Sequence, residues 1–307
     1  MKNLHDFIRP TTFIESEPLA RHLNADVTIA SETFQHTGSF KFRAGMNLAL
    51  NVREETIVTA SSGNFGQALA RACQILGKRC VVVMPETSAQ VKIEAVRSYG
   101  ATLDLIDTRK IGRTERVLEI MNDYPDAYRA SAYDDLFVIE GNASLGDEIA
   151  NYRKNFDAVI SPVGGGGLSS GVVQAFCNQG KQTEVWGAEP LLGNDAARSL
   201  RAGKIVQNET EPTTIADGAR TISLGENNWR ILQNGLAGIV EVADEKIKEA
   251  VRLYFSLANL KSEPTGALSL SAILEKPEIF AGKSICLVVS GGNVDSEVYR
   301  NILAEHF

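Results

Sequence analysis

The sequence predicts an α/β protein of two lobes, each a largely parallel sheet flanked by helices. Three observations carry this. Short β-branched runs alternate with longer helical patterns, as they do where helices connect parallel strands. Several helical patterns stop at Gly or Asn, which end helices cleanly. The chain has 307 residues, enough for a large core and two lobes.

Taken in order, strands are expected at Thr56–Ser61 (TIVTAS), Arg79–Pro85 (RCVVVMP) and Thr102–Asp107 (TLDLID). Helical patterns follow each of them, over Gly63–Gly77, Ser88–Gly100 and Arg113–Tyr124. These three strand–helix units suffice for a small sheet of their own. Later strands are expected at Asp157–Val163, Thr183–Pro190, Gly238–Val242 and Ser284–Gly291, with a helix over Asp244–Asn259. They suffice for a second, larger sheet. No Pro/Ser-rich linker, internal repeat or low-complexity segment interrupts the chain.

Composition narrows the function. Hydrophobic residues make up 44% and charged residues 22%, ordinary for a globular enzyme. The formal net charge is -7 and no long basic run occurs, which argues against nucleic acid or an anionic membrane surface as partner. No stretch reaches the roughly 18 apolar residues of a membrane span. The N-terminus, MKNLHDFIRP, has no apolar signal core, so a cytoplasmic location is expected. Cys73, Cys80, Cys177 and Cys286 form no C-x-x-C pair and are expected to be buried, reduced thiols. The four histidines are scattered, which speaks against a zinc enzyme.

Chemistry is sought where loops leave the carboxyl ends of strands. The stretch GSFKFRAG sets Lys41 between Phe40 and Phe42, with glycine at both ends. A desolvated amine is costly unless used, and a Schiff-base nucleophile is one use. The other reading is an exposed lysine at a helix start. In ASSGNFGQ, the turn Ser61, Ser62, Gly63, Asn64 offers two hydroxyls, an amide and the N–H groups of a helix start, suited to a carboxylate or simply to capping. In SPVGGGGLSSG, Gly164, Gly165, Gly166 and Gly167 lead from an apolar strand into a helix. Successive glycine N–H groups can converge on a phosphate, although a flexible loop is the plainer alternative. The run lacks both the G-K-[ST] ending of a nucleotide loop and the spacing of the dinucleotide fingerprint, so a single phosphate fits best. In CLVVSGGNVD, Ser290 ends a strand, placed to bond a ring nitrogen if an aromatic cofactor lies across the sheet ends. In GAEPLLGND, Glu189 and Asp195 with the Gly193 carbonyl could ligate Mg²⁺ or Ca²⁺, or line a solvated loop.

One framed lysine, one phosphate cradle, one polar turn and one late serine together suggest pyridoxal 5′-phosphate (PLP). The motifs TGSFKFRAG, SSGNFGQALA, GGGGLSSG, AEPLLGND, TIADG, EPTGA and SGGNVD closely resemble those of serine racemases and serine/threonine dehydratases. These are fold-type II (tryptophan synthase β-like) PLP enzymes. The resemblance runs in order from about Arg9 to Asp295. It implies a large PLP-binding domain of residues 1–47 and 131–307, with a small domain, 48–130, inserted in it. It implies that Lys41 carries the Schiff base, Phe40 packs on the cofactor ring and Asn64 bonds its 3′ oxygen. Gly164 to Gly167 then hold the phosphate, Ser290 meets the pyridine nitrogen, and the Ser61–Asn64 turn holds the substrate carboxylate. Glu189, Gly193 and Asp195 match a structural cation site, and a homodimer is expected.

The activity so implied is deamination of a small β-hydroxy amino acid, of the threonine, serine or hydroxyaspartate type, to a 2-oxo acid and ammonia. Lys41 removes the Cα proton, and burial by Phe40 and Phe42 is expected to lower its pKa. Ser62 keeps a racemase open, acting on the face opposite Lys41. A β-replacement synthase is the third reading. Phe65 stands where many relatives have His, and EGNAS (Glu140–Ser144) also departs from the family pattern. Arg129, Ser131 and Tyr133 are expected near the substrate side chain.

Overall fold

The structure is a computed structural model and describes residues 3–61, 63–88 and 90–305. Its strands are β1 (Thr12–Ile14), β2 (Asp26–Ser31), β3 (Thr56–Ala60), β4 (Arg79–Pro85), β5 (Thr102–Ile106), β6 (Tyr128–Ala130), β7 (Ala158–Pro162), β8 (Glu184–Pro190), β9 (Gly238–Val242) and β10 (Ser284–Val289). They form two sheets, ordered β5-β4-β3-β6 and β1-β2-β10-β7-β8-β9. All pairings are parallel except β1 with β2. The expected strands are present within two residues at their ends, and the two-sheet α/β architecture is as predicted.

Three strands were not anticipated. β1 and β6 have three residues each, too few for a readable period. β2 is buried along five of six residues, and its buried Thr28 and Ser31 break the apolar run. Yet β2 matters most for the site. It pairs with β10 from Asp26↔Ser284 to Ser31↔Val289, so both strands end side by side. The chain leaving β2 then returns across that end: Phe40 N–H donates to the Ser290 carbonyl at 2.9 Å. This sets Lys41 next to Ser290, far apart though they are in sequence.

Helix Lys41–Asn51 lies against helices Asn64–Leu76 and Leu136–Ala150. Close approach depends on glycine. A Cβ on Gly45 would meet the Ala68 and Leu69 backbone at 3.0 Å, and one on Gly141 would lie 2.6 Å from the Arg43 carbonyl. Gly45 therefore serves helix packing. Phe42, Ala44, Met46, Leu48 and Ala49 join the core under the four-stranded sheet. The expected 47/48 border thus falls inside this helix.

The same helix carries Arg43, which is fully buried. Its Nε and Nη2 donate to Glu32 at 2.8 and 3.0 Å, and its Nη1 donates to Glu148 at 2.7 Å and to Ser144 Oγ at 3.1 Å. Nη2 also donates to Thr11 Oγ1 at 2.9 Å and the Arg9 carbonyl at 3.2 Å. The N-terminal segment, the end of β2, the Lys41 helix and helix Leu136–Ala150 are thereby tied at one point. Among the cysteines, Cys73, Cys80 and Cys286 are buried, but Cys177 is exposed. Cys177 sits near the outer end of helix Gly167–Asn178, so the expectation of four buried thiols is corrected. No helix among the described residues is long and apolar enough to cross a membrane.

Candidate active site

Lys41 opens its helix, and its Nζ donates to the Ala132 carbonyl at 2.6 Å. The amine lies 4.9 Å from the centre of the Phe40 ring and 5.7 Å from that of Phe65. Desolvation lowers its pKa to about 8, against the opposing pull of the Glu263 carboxylate. The expected role of Phe42 is corrected. Its ring is buried in the small-sheet core, 5.0 Å from His36. Residues adjacent on a helix point about 100° apart, so Phe42 cannot cover its neighbour. Phe65, the residue that departs from the family pattern, takes that place.

Ser290 follows β10, and its Oγ is buried with no hydrogen-bond partner. An orphaned buried hydroxyl calls for a partner, and a ring nitrogen fits. The glycine run joins β7 to helix Gly167–Asn178. Its carbonyls are held on the protein side. Gly165 O accepts from Gly225 N at 3.1 Å and Asn228 Nδ2 at 2.7 Å, and Gly167 O accepts from Asn142 Nδ2 at 3.0 Å. In a trans peptide the N–H points opposite the C=O, so the N–H groups of Gly166 and Leu168 turn the other way. Gly166 has φ +94°, a conformation that favours glycine. A Cβ on Gly165 would lie 2.2 Å from the Tyr133 ring. We expect Gly165→Ala to displace that ring and weaken cofactor retention at least about 10-fold, measured by equilibrium dialysis; retention equal to wild type would show the run is an ordinary connection.

In the Ser61–Asn64 turn, Ser61 Oγ accepts from the N–H groups of Gly66 at 3.0 Å and Gly63 at 3.4 Å, and so satisfies one N–H in the first turn of helix Asn64–Leu76. Ser62 lies outside the described residues. Lys92 Nζ approaches within 4.0 Å of where a Cβ on Gly63 would stand, and pairs with Asp217. Asn64 Nδ2 donates to both oxygens of Glu263, at 2.9 and 3.1 Å. Glu263 is a site residue that sequence reasoning missed. The one available signal was a lone carboxylate opening the otherwise uncharged stretch EPTGALSLSAIL. Arg129 is exposed on β6. Ser131 Oγ accepts from Asp134 N at 2.9 Å, and Tyr133 covers the glycine run.

The acidic pair sits after β8. Glu189 is 1% exposed and Asp195 0%, so the solvated-loop alternative does not hold. The Glu189 oxygens accept from Ala196 N at 3.0 Å and Ala197 N at 2.9 Å. Asp195 Oδ1 accepts from Asn208 Nδ2 at 2.8 Å, while Oδ2 is buried without a partner. Burial and the neighbouring Asp195 charge push Glu189 well up, and burial raises Asp195 to about 6. Two mutually repelling buried carboxyls with a free oxygen fit a cation. Gly193 stands between them in the chain, packed against Pro212. Among the described residues there is no group of three or more His, Cys, Asp or Glu side chains that could hold a metal.

A framed amine, a glycine cradle and an orphaned hydroxyl, gathered at the strand ends of an α/β fold, define an enzyme that works with a small phosphorylated aromatic cofactor. Residues 4–291 match the pyridoxal-phosphate dependent enzyme family, and the chain belongs to it. It is 34% identical to an L-threo-3-hydroxyaspartate ammonia-lyase of Pseudomonas sp, over 98% of this chain and 95% of that protein. It is 33% identical to a serine racemase of Schizosaccharomyces pombe, over 99% and 95%. A solved threonine deaminase, from T.th., superimposes with a TM-score of 0.90 at 36% identity, covering 95% of each chain.

Proposed function

We propose that this protein deaminates a β-hydroxy amino acid, of the 3-hydroxyaspartate, threonine or serine type, to a 2-oxo acid and ammonia. The observation that carries this reading is the Lys41 amine, with its pKa lowered to about 8, on a segment whose backbone is bonded to Ser290, the residue with the orphaned hydroxyl. The ammonia-lyase and threonine deaminase among its relatives support it. In this reading Lys41, Phe40, Asn64, Gly164 to Gly167 and Ser290 hold PLP. When bound, PLP supplies an electron sink that stabilises negative charge at the substrate Cα.

The chain's own residues do the rest. The helix start at Ser61–Asn64 presents N–H groups to the substrate carboxylate. The neutral Lys41 amine takes the Cα proton. A serine at the ring nitrogen does not enforce its protonation as a carboxylate does, which favours loss of the β substituent over transamination. Atoms balance without an oxidant, because the water lost from Cα and Cβ is regained when the nitrogen leaves as ammonia. An inserted small domain (48–130) within a large one (1–47 and 131–307), a homodimer and a cytoplasmic setting complete the reading.

Racemisation is the second reading, with Ser62 returning the proton opposite Lys41; the serine racemase relative supports it. A panel of L- and D-β-hydroxy amino acids decides between them, with 2-oxo acid release and enantiomer ratio measured together. Release of oxo acid is expected. Racemisation without it would reject the lyase, and Ser62→Ala should then lose that activity.

We also infer a Mg²⁺ or Ca²⁺ ion at Glu189, Asp195 and the Gly193 carbonyl. After EDTA treatment, Mg²⁺ at 100 times its Kd should add about 2.7 kcal/mol of stability. An unfolding midpoint that ignores both reagents argues against the ion.

A further inference from the structure

Glu263 precedes helix Pro264–Glu275 and is almost wholly buried, yet the reading above assigns it no part. Its two oxygens accept from Asn64 Nδ2 at 2.9 and 3.1 Å. Asn64 Oδ1 accepts from Asn293 Nδ2 at 2.8 Å, and that same nitrogen donates to the Thr37 carbonyl at 2.7 Å. The backbone joins the same groups. Glu263 N donates to Gly291 O at 3.1 Å, and Ser39 bridges to Gly291. A Cβ on Gly291 would stand 2.7 Å from Glu263 Oε1. The carboxylate is therefore packed on the turn after Ser290, beside the segment that delivers Lys41.

An amide has one donating and one accepting end, and this network uses both in a single sense. An ionised carboxylate can only accept, so it pins the Nδ2 end of Asn64 toward itself. A protonated one donates, which favours the amide turned over at the expense of the Asn293 bond. The groups facing the carboxylate are few. Burial and the Asp217 charge push its pKa up to about 7, against Asn64, Lys92 and the Asn293 N–H. Lys41 faces it as well, and the carboxylate charge favours the protonated amine.

We propose that Glu263 is a positioning residue that works in its ionised form, holding the Asn64 amide in one orientation and setting the proton affinity of the Lys41 nitrogen. The inference rests on PLP being held at Lys41. In the holoenzyme, the cofactor's visible absorbance titrated with pH reads protonation at that nitrogen apart from turnover. Glu263→Gln keeps an acceptor for Asn64 but removes the charge, so the midpoint should fall by about one pH unit. Glu263→Asp keeps the charge and should stay close to wild type.

Protonation of Glu263 itself should appear as a separate acid-side step, as Asn64 turns. The partly exposed pair Asp217 and Lys92 tests this step even if the Gln variant folds poorly. Asp217→Asn should move the step to lower pH and Lys92→Met to higher pH. Midpoints that coincide across wild type and all folded variants overturn the proposal. A wild-type protein with no visible band overturns the cofactor reading, and this inference with it.

Discussion

Lys41→Ala is expected to abolish turnover, by about 10³-fold or more, while the protein keeps its fold. General base catalysis by a positioned side chain is worth about 10²–10⁴-fold, and the same residue is the expected covalent anchor of PLP. Borohydride treatment followed by peptide mapping should fix the cofactor on Lys41 in wild type and nowhere in the variant. A variant that turns over like wild type would refute the assignment. The amine also predicts a pH dependence. With its pKa lowered to about 8, its neutral fraction grows as pH rises through 8, so kcat should climb to a plateau on the alkaline side. Stability follows the same sign. In the cofactor-free protein the folded state binds this proton less tightly than the unfolded chain does. Stability should therefore rise between about 8 and the ordinary lysine value of 10.5, measured by denaturant midpoints.

Arg43→Met is expected to be the most destabilising single change, costing about 3–5 kcal/mol. Arg43 is fully buried, and its loss strands Glu32, whose side chain is 1% exposed, as an unpaired charge. Glu148 loses its partner too, although its side chain is 21% exposed and water relieves part of that loss. Arg43→Lys keeps the charge but not the planar fork that reaches Glu32, Glu148 and Thr11 together, so it should fall between the two. The double variant Arg43→Met/Glu32→Gln should recover part of the loss, because no buried charge is left alone. Urea unfolding of the holoenzyme measures all four proteins. A double variant no better than Arg43→Met would mean the cost lies in packing.

Much of the site was legible because its parts are local. Four glycines after an apolar strand state a close backbone approach within four residues. Ser290 was readable from the strand that ends on it. The misreadings share one cause. Phe42 was assigned to the amine because it is adjacent in sequence, but helix geometry turns it into the core and Phe65 arrives from another helix. β2 was not seen because its polar residues are buried inside a sheet. For Glu189 and Asp195 a solvated loop stayed open beside the cation site, because nothing local reports that Asn208 bonds Asp195 and that Pro212 packs on Gly193 between them.

The sequence by itself determined the alternation of strands and helices, the phosphate-suited turn, the candidate lysine and, through ordered motifs, the cofactor class. Those properties depend on backbone propensities and turn chemistry over spans of a few residues. The tertiary structure alone decided which groups surround the amine, which charges are buried and which polar atoms lack partners. Asn64 and Glu263 are 199 residues apart and meet only because β2, β10 and β7 end together while helix Asn64–Leu76 starts opposite them. A carboxylate's environment is a property of that assembly, and proton affinity follows environment.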